Sequence, residues 1–231
     1  MSASIAALRQ LMEQRFPDTV PAVHRTTPQL PTGSAALDRV LPGGGLPRGR
    51  LAAWAPGGGA AALLRGACRA AVARGERVAW VDATGTVGGE LWRREPILVR
   101  TCGGAQALGC AEELARCGGF GLVVLGGAEG GDRERVRLSR AAQEGGTALV
   151  TLSADGFAAG VRLASWILPG RCRWRTSTLG ERMDVEKVAV RVRATALGWS
   201  KEAELSLTLA FHEHRLSLEP TLGDRRGAAA R

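Results

Sequence analysis

The stretch LAAWAPGGGAAALLRGACRAAVARGERVAWVDATG, residues 51–85, decides the fold. An apolar strand runs into a glycine-rich turn, a helix of small apolar residues follows, and a second apolar strand ends in Asp82. That order is the outline of an ATP-binding unit, in which the turn cradles phosphate at a helix N-terminus. The turn itself reads Ala55-Pro56-Gly57-Gly58-Gly59-Ala60-Ala61-Ala62, whereas a phosphate-binding loop has the pattern G-x-x-x-x-G-K-[ST]. The outline of the unit is present and its charged residues are not.

Outward from this stretch the pattern is regular. RLAAWA (50–55) reads as a strand, Gly59 to Arg74 as a helix, RVAWVDA (77–83) as a second strand and PILVRT (96–101) as a third. Gln106 to Cys117 reads as a helix, GLVVL (121–125) as a buried strand, Asp132 to Gln143 as a helix and TALVTLS (147–153) as a strand. Strands alternating with helices at this spacing predict a parallel sheet covered on both faces. After Arg162 the helical periods stop. RCRWRTS (171–177), EKVAVRVRATA (186–196), AELSLTLAF (203–211) and HRLSLEP (214–220) alternate with period two, as an antiparallel meander does. The fold class is therefore α/β, with one mixed, mainly parallel central sheet flanked by helices and carrying a C-terminal antiparallel extension.

At the N-terminus, Ile5, Leu8, Met12 and Phe16 fall on one face of an amphipathic helix over residues 4–16, with Ser4 as its N-cap. Pro17, Pro21, Pro28 and Pro31 make residues 17–31 an extended linker. The helix either folds back onto its own core or docks on another chain. The chain thus divides into a helix with its linker (1–31), a core (32–220) and a disordered tail (221–231).

Bulk properties bound the function. A chain of 231 residues holds one good-sized core. Its 45% hydrophobic and 23% charged content is that of a globular protein. No apolar run approaches the ~20 residues of a membrane span. The N-terminus lacks a small-residue cleavage site, so the reading is cytoplasmic. Five cysteines without C-x-x-C spacing read as free thiols, not as a zinc site. The net charge of +9 and pI near 10.7 suggest an anionic partner, nucleic acid first. Arginine supplies almost all of that charge, since Lys187 and Lys201 are the two lysines, and that imbalance, with the abundance of Ala and Gly, is also what a GC-rich genome produces.

PTGSAALDRVLPGGGLPRGRLAAWAPGGG (31–59) resembles the opening of the RecA recombinase core, with T-G-S, then L-D, a glycine turn, L-P-x-G-R and the P-loop strand. The resemblance continues more weakly through VAWVDA and VRATALGWSKEAELSL (192–207) and covers most of residues 31–210. The LPGGGLPRGRL form, the compact length and the altered P-loop most resemble the ImuA family. These are RecA-like accessory proteins of bacterial mutagenic translesion synthesis, within the RecA/SulA superfamily.

The resemblance locates what has changed. Ala61 stands where the P-loop lysine belongs, Ala62 where the Mg²⁺ ligand belongs, and Ala60 in place of the last glycine. No lysine occurs in residues 1–186 to replace the missing one. The position of the water-activating carboxylate is Thr84, and Leu125 and Gly126 stand where a metal-coordinating aspartate ends the fourth strand. The resemblance therefore implies a pseudo-ATPase with no catalytic residue, no metal and no cofactor. Gly57, Gly58 and Gly59 either present amides to an anion or simply make a tight strand-to-helix turn.

RecA binds single strands through two long loops. Here their counterparts are GGAEGG (126–131) and ADGFAAG (154–160), with neither a basic cluster nor an aromatic platform. What remains is RCRWR, which as a strand puts Arg171, Arg173 and Arg175 on one face and Cys172 and Trp174 on the other. That face is either a solvated edge or a patch for phosphate or an acidic partner, allowing weak, non-specific DNA contact. His212 and His214 share a strand face without a third ligand and read as surface residues. No serine sits in a nucleophile elbow.

By resemblance, the expected activity is a non-catalytic one in DNA-damage-induced (SOS) mutagenesis. It works through contacts with the polymerase-like protein ImuB, an error-prone C-family polymerase and RecA itself, with Ile5, Leu8, Met12 and Phe16 as a contact face. Self-association is compatible with this reading, long filaments are not. The rivals are a SulA-like cell-division inhibitor that binds FtsZ and a DNA-binding RecA-like ATPase.

Overall fold

The computed structural model describes residues 28–85, 87, 96–153, 159–196 and 198–208. Ile5, Leu8, Met12, Phe16, the strand expected at 214–220 and the tail lie outside them. In chain order the elements are β1 (Gln29–Leu30), α1 (Ala35–Val40), a 3₁₀ turn (Pro42–Gly44), β2 (Leu46–Pro47), β3 (Arg50–Trp54), α2 (Ala60–Ala73), β4 (Val78–Asp82) and β5 (Ile97–Arg100). There follow α3 (Gly104–Arg116), β6 (Leu122–Gly126), α4 (Asp132–Gly145), β7 (Ala148–Leu152), β8 (Val161–Thr176), β9 (Arg182–Ala196) and β10 (Trp199–Thr208).

Among the described residues eight strands form one sheet in the order β10-β9-β8-β3-β7-β6-β4-β5. The strands from β8 to β5 run parallel, and β9 and β10 continue the sheet antiparallel to their neighbours. This is the mixed, mainly parallel sheet with an antiparallel extension that the sequence predicts. The connection through α2 moves one way across the sheet, and those through α3 and α4 move the other way. Right-handed crossovers then place α2 on one face and α3 with α4 on the opposite face.

The core divides accordingly. Leu37 of α1, Leu64 and Cys68 of α2, Trp54 and Val124 of the parallel strands, and Val190, Val192 and Leu205 of the extension fill one side. Leu51, Leu125 and Leu149 pack with Ala107, Ala111 and Ala115 of α3 and Leu138 of α4 on the other. Strands covered on both faces need apolar residues at every position, which is why β6 reads as an unbroken run. Alanine at 107, 111 and 115 gives α3 strong helix propensity and a smooth face that lies close to the strands.

The stretch that carries the family resemblance forms the entry to the fold. Asp38 Oδ1 accepts from Thr32 N (2.8 Å) and Thr32 Oγ1 (2.7 Å), while Ser34 Oγ accepts from Leu37 N at the start of α1. Gly33, at φ +80°, lets the chain pass over Ala70 of α2, which a Cβ would approach to 2.4 Å. Gln29–Leu30 pairs antiparallel with Leu46–Pro47, and Leu30 is buried. Residues 29–31 of the expected linker therefore belong to the folded unit.

One strand departs from expectation in extent. β8 begins at Val161, ten residues before the expected strand at Arg171. Pro169-Gly170 falls in an irregularity between the pairs Ile167–Val190 and Cys172–Val188, where the ladder slips and resumes. A bulge tolerates a proline without ending the strand. Among the described residues no helix is long and apolar enough to cross a membrane.

Candidate functional site

In open α/β sheets, ligands bind beyond the carboxyl ends of the parallel strands where neighbouring connections leave to opposite faces. Here that place lies between the loop from β3 to α2 and the loops after β4 and β6. Residues 55–59 form the first loop, and Gly57, Gly58 and Gly59 all have positive φ (+103°, +52° and +86°). Gly57 O accepts from Ala60 N (2.9 Å) and from Ser165 Oγ (3.3 Å) of β8, and Ser165 Oγ in turn accepts from Trp54 Nε1 (3.3 Å). A Cβ on Gly58 would lie 1.8 Å from Ser165 O, so the turn rests directly on the backbone of β8. Gly59 meets Leu207 and Val190 of the extension.

The helix starts at Ala60, whose methyl is buried, while Ala61 and Ala62 are exposed on the first turn of α2. The groups at this turn that could meet an anion are backbone amides at a helix N-terminus. The side chains beside them are methyl groups, without the charge a triphosphate requires.

The neighbouring loops are occupied by structural contacts. Asp82 is buried at the end of β4, where Oδ1 accepts from Thr84 N and Thr84 Oγ1 (both 3.2 Å) and Oδ2 accepts from Val87 N (2.9 Å). Its carboxylate thus closes its own turn. Thr84 leans over Gly127, where an added Cβ would lie 2.4 Å from its methyl. Leu125 is buried in the core, and Gly126 lies against Trp80. Among the described residues no group of three or more His, Cys, Asp or Glu is placed to hold a metal ion.

Arg171 and Arg173 lie on the outer face of the extension and are ion-paired. Arg171 reaches Glu204 of β10, which Arg191 also holds (2.8 Å), and Arg173 holds Glu186 (3.0 Å). The hydrogen bond from Arg191 keeps the Glu204 carboxyl below the ordinary range against the opposing effect of burial, with help from the Arg171 charge. Arg193 pairs with Glu202 and sits 5.4 Å from the ring centre of Trp166. Cys172 is half-buried against the core, whereas Trp174 is exposed. Arg175 is exposed near the hairpin turn.

A further feature escaped the sequence reading. Glu112 of α3 is buried beside a cavity of about 190 Å³ lined by Ala105, Leu108, Glu134, Arg137 and Leu138. It accepts from Arg116 (2.6 Å) and pairs with Arg137 of α4 (2.5 Å). Burial opposes its ionisation, but the hydrogen bonds and charges of the two arginines outweigh this and hold its pKa below the ordinary value. Arg116 also reaches Glu113 and Glu144, so one guanidinium ties α3 to α4. The signal in the sequence was a glutamate one position from Ala111 and three from Ala115, at the edge of the helix face that packs on the sheet. No protein-family model matches this chain, and no curated protein matches it.

Proposed function

We propose that this chain is a non-catalytic, RecA-like accessory protein of the ImuA type, acting in the cytoplasm in DNA-damage-induced mutagenesis. Its contacts would be with an ImuB-like protein, an error-prone C-family polymerase and RecA. The observation that carries the reading is the turn at residues 55–62. The strand, turn and helix are retained, yet Ala61 and Ala62 offer methyl groups where a P-loop offers lysine and a Mg²⁺ ligand. Asp82 is committed to its own turn and Thr84 to Gly127, which also supports a scaffold in place of an ATPase. A scaffold of this kind works through its surfaces, and residues 4–16 supply one candidate face.

Two measurements test the proposal. Calorimetric titration with a non-hydrolysable ATP analogue and Mg²⁺ should give no saturable binding in the micromolar range; such binding would overturn the pseudo-ATPase reading. Pull-downs against purified ImuB and RecA should retain the full chain. They should lose it on deletion of residues 1–20 or on Leu8→Glu with Met12→Glu, with the core still folded by circular dichroism. Unfolding of the truncated chain would instead place the helix in its own core.

A further inference from the structure

Seven large apolar side chains are exposed among the described residues, and five of them lie on one hairpin: Trp166, Ile167, Trp174, Leu179 and Met183 of β8, β9 and their turn. Beyond the pair Arg173–Lys187 the two strands of this hairpin pair, among the described residues, with each other. β10 pairs with β9 from Lys187 to Ala196, and β3 pairs with β8 at residues 161–163. Residues 174–186 therefore pair among the described residues with one another, and at ~3.3 Å per residue the turn at Ser177 lies about 13 Å beyond Arg173. Large apolar side chains displayed at such a tip call for a physical reason.

The tip is built. Ser177 Oγ accepts from Leu179 N and Glu181 N (both 3.2 Å), Ser177 N donates to Glu181 O (2.8 Å), and Gly180 N donates to Ser177 O (3.0 Å). This closed turn presents Leu179 at 85% exposure, where turn chemistry alone would favour a polar residue or glycine. Trp174 (42%) and Met183 (46%) flank it. Residues 171–187 carry five cations (Arg171, Arg173, Arg175, Arg182 and Lys187) against three carboxylates. Arg171 and Arg173 are engaged with Glu204 and Glu186, whereas Arg175 and Arg182 are exposed with no ion-pair partner among the described residues.

We propose that the β8–β9 ribbon is a docking arm for a protein whose receiving surface is an apolar pocket rimmed by carboxylates. Leu179, Trp174 and Met183 enter the pocket, and Arg175 and Arg182 meet the rim. Tryptophan and arginine are the side chains that dominate protein contacts, and several exposed apolar residues on one hairpin mark such a site. The aliphatic members decide against nucleic acid. Leu179 and Met183 gain nothing from stacking on bases, which needs planar rings. The inference rests on the protein-contact function proposed above and specifies the surface that makes it.

The test measures binding of the full chain to purified ImuB and RecA by interferometry, at 50 and 300 mM salt. Leu179→Ser with Met183→Ser should weaken binding at least tenfold at both salts. Arg175→Glu with Arg182→Glu should weaken it at least tenfold at 50 mM and flatten the salt dependence. Both side-chain pairs are exposed, so the melting temperature should hold, and hydrogen exchange at residues 187–196 reports whether the hairpin base is intact. If the wild-type chain binds neither protein, the accessory function falls and takes the arm with it. If both variants bind as well as wild type, the function stands and the arm is refuted. If the variants keep protein binding but lose binding to a labelled 20-nucleotide oligo-dT, the ribbon is a nucleic-acid contact and the proposal is wrong.

Discussion

Gly58→Ala tests how the altered phosphate loop is held. Two terms combine at this position. At φ +52° a residue with a Cβ costs about 1–2 kcal/mol relative to glycine. The new methyl would also lie 1.8 Å from Ser165 O, a backbone atom that cannot rotate away. Relief requires the turn to lift from β8, breaking the bond from Ser165 Oγ to Gly57 O and the one from Trp54 Nε1 to Ser165 Oγ. At about 1 kcal/mol net for each hydrogen bond, the total is about 3–4 kcal/mol, a large share of the ~5–15 kcal/mol that holds a domain together. The melting temperature should fall by about 10 °C, taking ~2–4 °C per kcal/mol for a domain of this size. Gly57→Ala is the control. It too has positive φ (+103°), but nothing lies within 4 Å of its added Cβ. It should therefore lose the backbone term alone, about 1–2 kcal/mol. Thermal melts of the two variants under one buffer decide the matter. Equal losses would mean that the loop does not rest on β8.

Other perturbations reach other parts of the molecule. Glu112→Gln should destabilise by about 1–2 kcal/mol at pH 7, since it weakens the buried link from α3 to Arg116 and Arg137. Because the native carboxyl is held below the ordinary glutamate range, its contribution is complete above that range and disappears as pH falls through the lower native value. Urea melts of the two proteins should thus converge as acid protonates the native carboxyl, and a gap that widens with acid would show the sign to be wrong. The triple change A60G/A61K/A62T should leave ATP hydrolysis at background, because Asp82 remains tied to Thr84 and Val87 and Gly126 supplies no carboxylate; turnover above background in a phosphate-release assay would refute this. Asp82→Ala should loosen the turn at Thr84 and Val87, seen as faster hydrogen exchange at both, since it removes the acceptor of their hydrogen bonds; unchanged exchange would place the turn's stability elsewhere.

Much of the parallel half was legible because each element carries its own period. The strand read at 50–55 runs 50–54, the helix read at 59–74 runs 60–73, and the buried run at 121–125 is β6 at 122–126. A strand buried on both faces and a helix with one apolar stripe leave unmistakable marks. β8 was read short because Pro169-Gly170 is a local stop signal, and a bulge is decided by the partner strand β9, which local sequence does not display. α1 was missed because six residues give less than two turns of periodicity. The site divides in the same way. The absent charges at Ala61 and Ala62 are visible in a string of letters, but the resting place of Gly58 on Ser165 is a contact across 107 residues. Glu112 is likewise a carboxylate whose arginines come from its own helix and from the next one.

These long-range contacts explain how a nucleotide loop can lose its chemistry and keep its shape. In a working P-loop the backbone turn is constrained by the phosphates it wraps. Here the same turn is constrained by protein. Gly57 O takes its bonds from Ala60 N and Ser165 Oγ, Gly58 rests on the Ser165 carbonyl, and Gly59 touches Val190 and Leu207. Those contacts join the parallel half of the sheet to the antiparallel extension, because β3 and β8 share a register of three residue pairs before β8 departs into the hairpin. Replacing the lysine and the Mg²⁺ ligand by exposed alanines touches none of them. The glycines are a different matter, since side chains at Gly58 or Gly59 would push into β8 or the extension. Gly58 and Gly59 are accordingly required by the sheet whether or not a nucleotide ever binds, and Gly57 by its backbone conformation alone. The turn at 55–59 is thereby a structural joint, and it sets where β8 begins its path toward the β8–β9 turn.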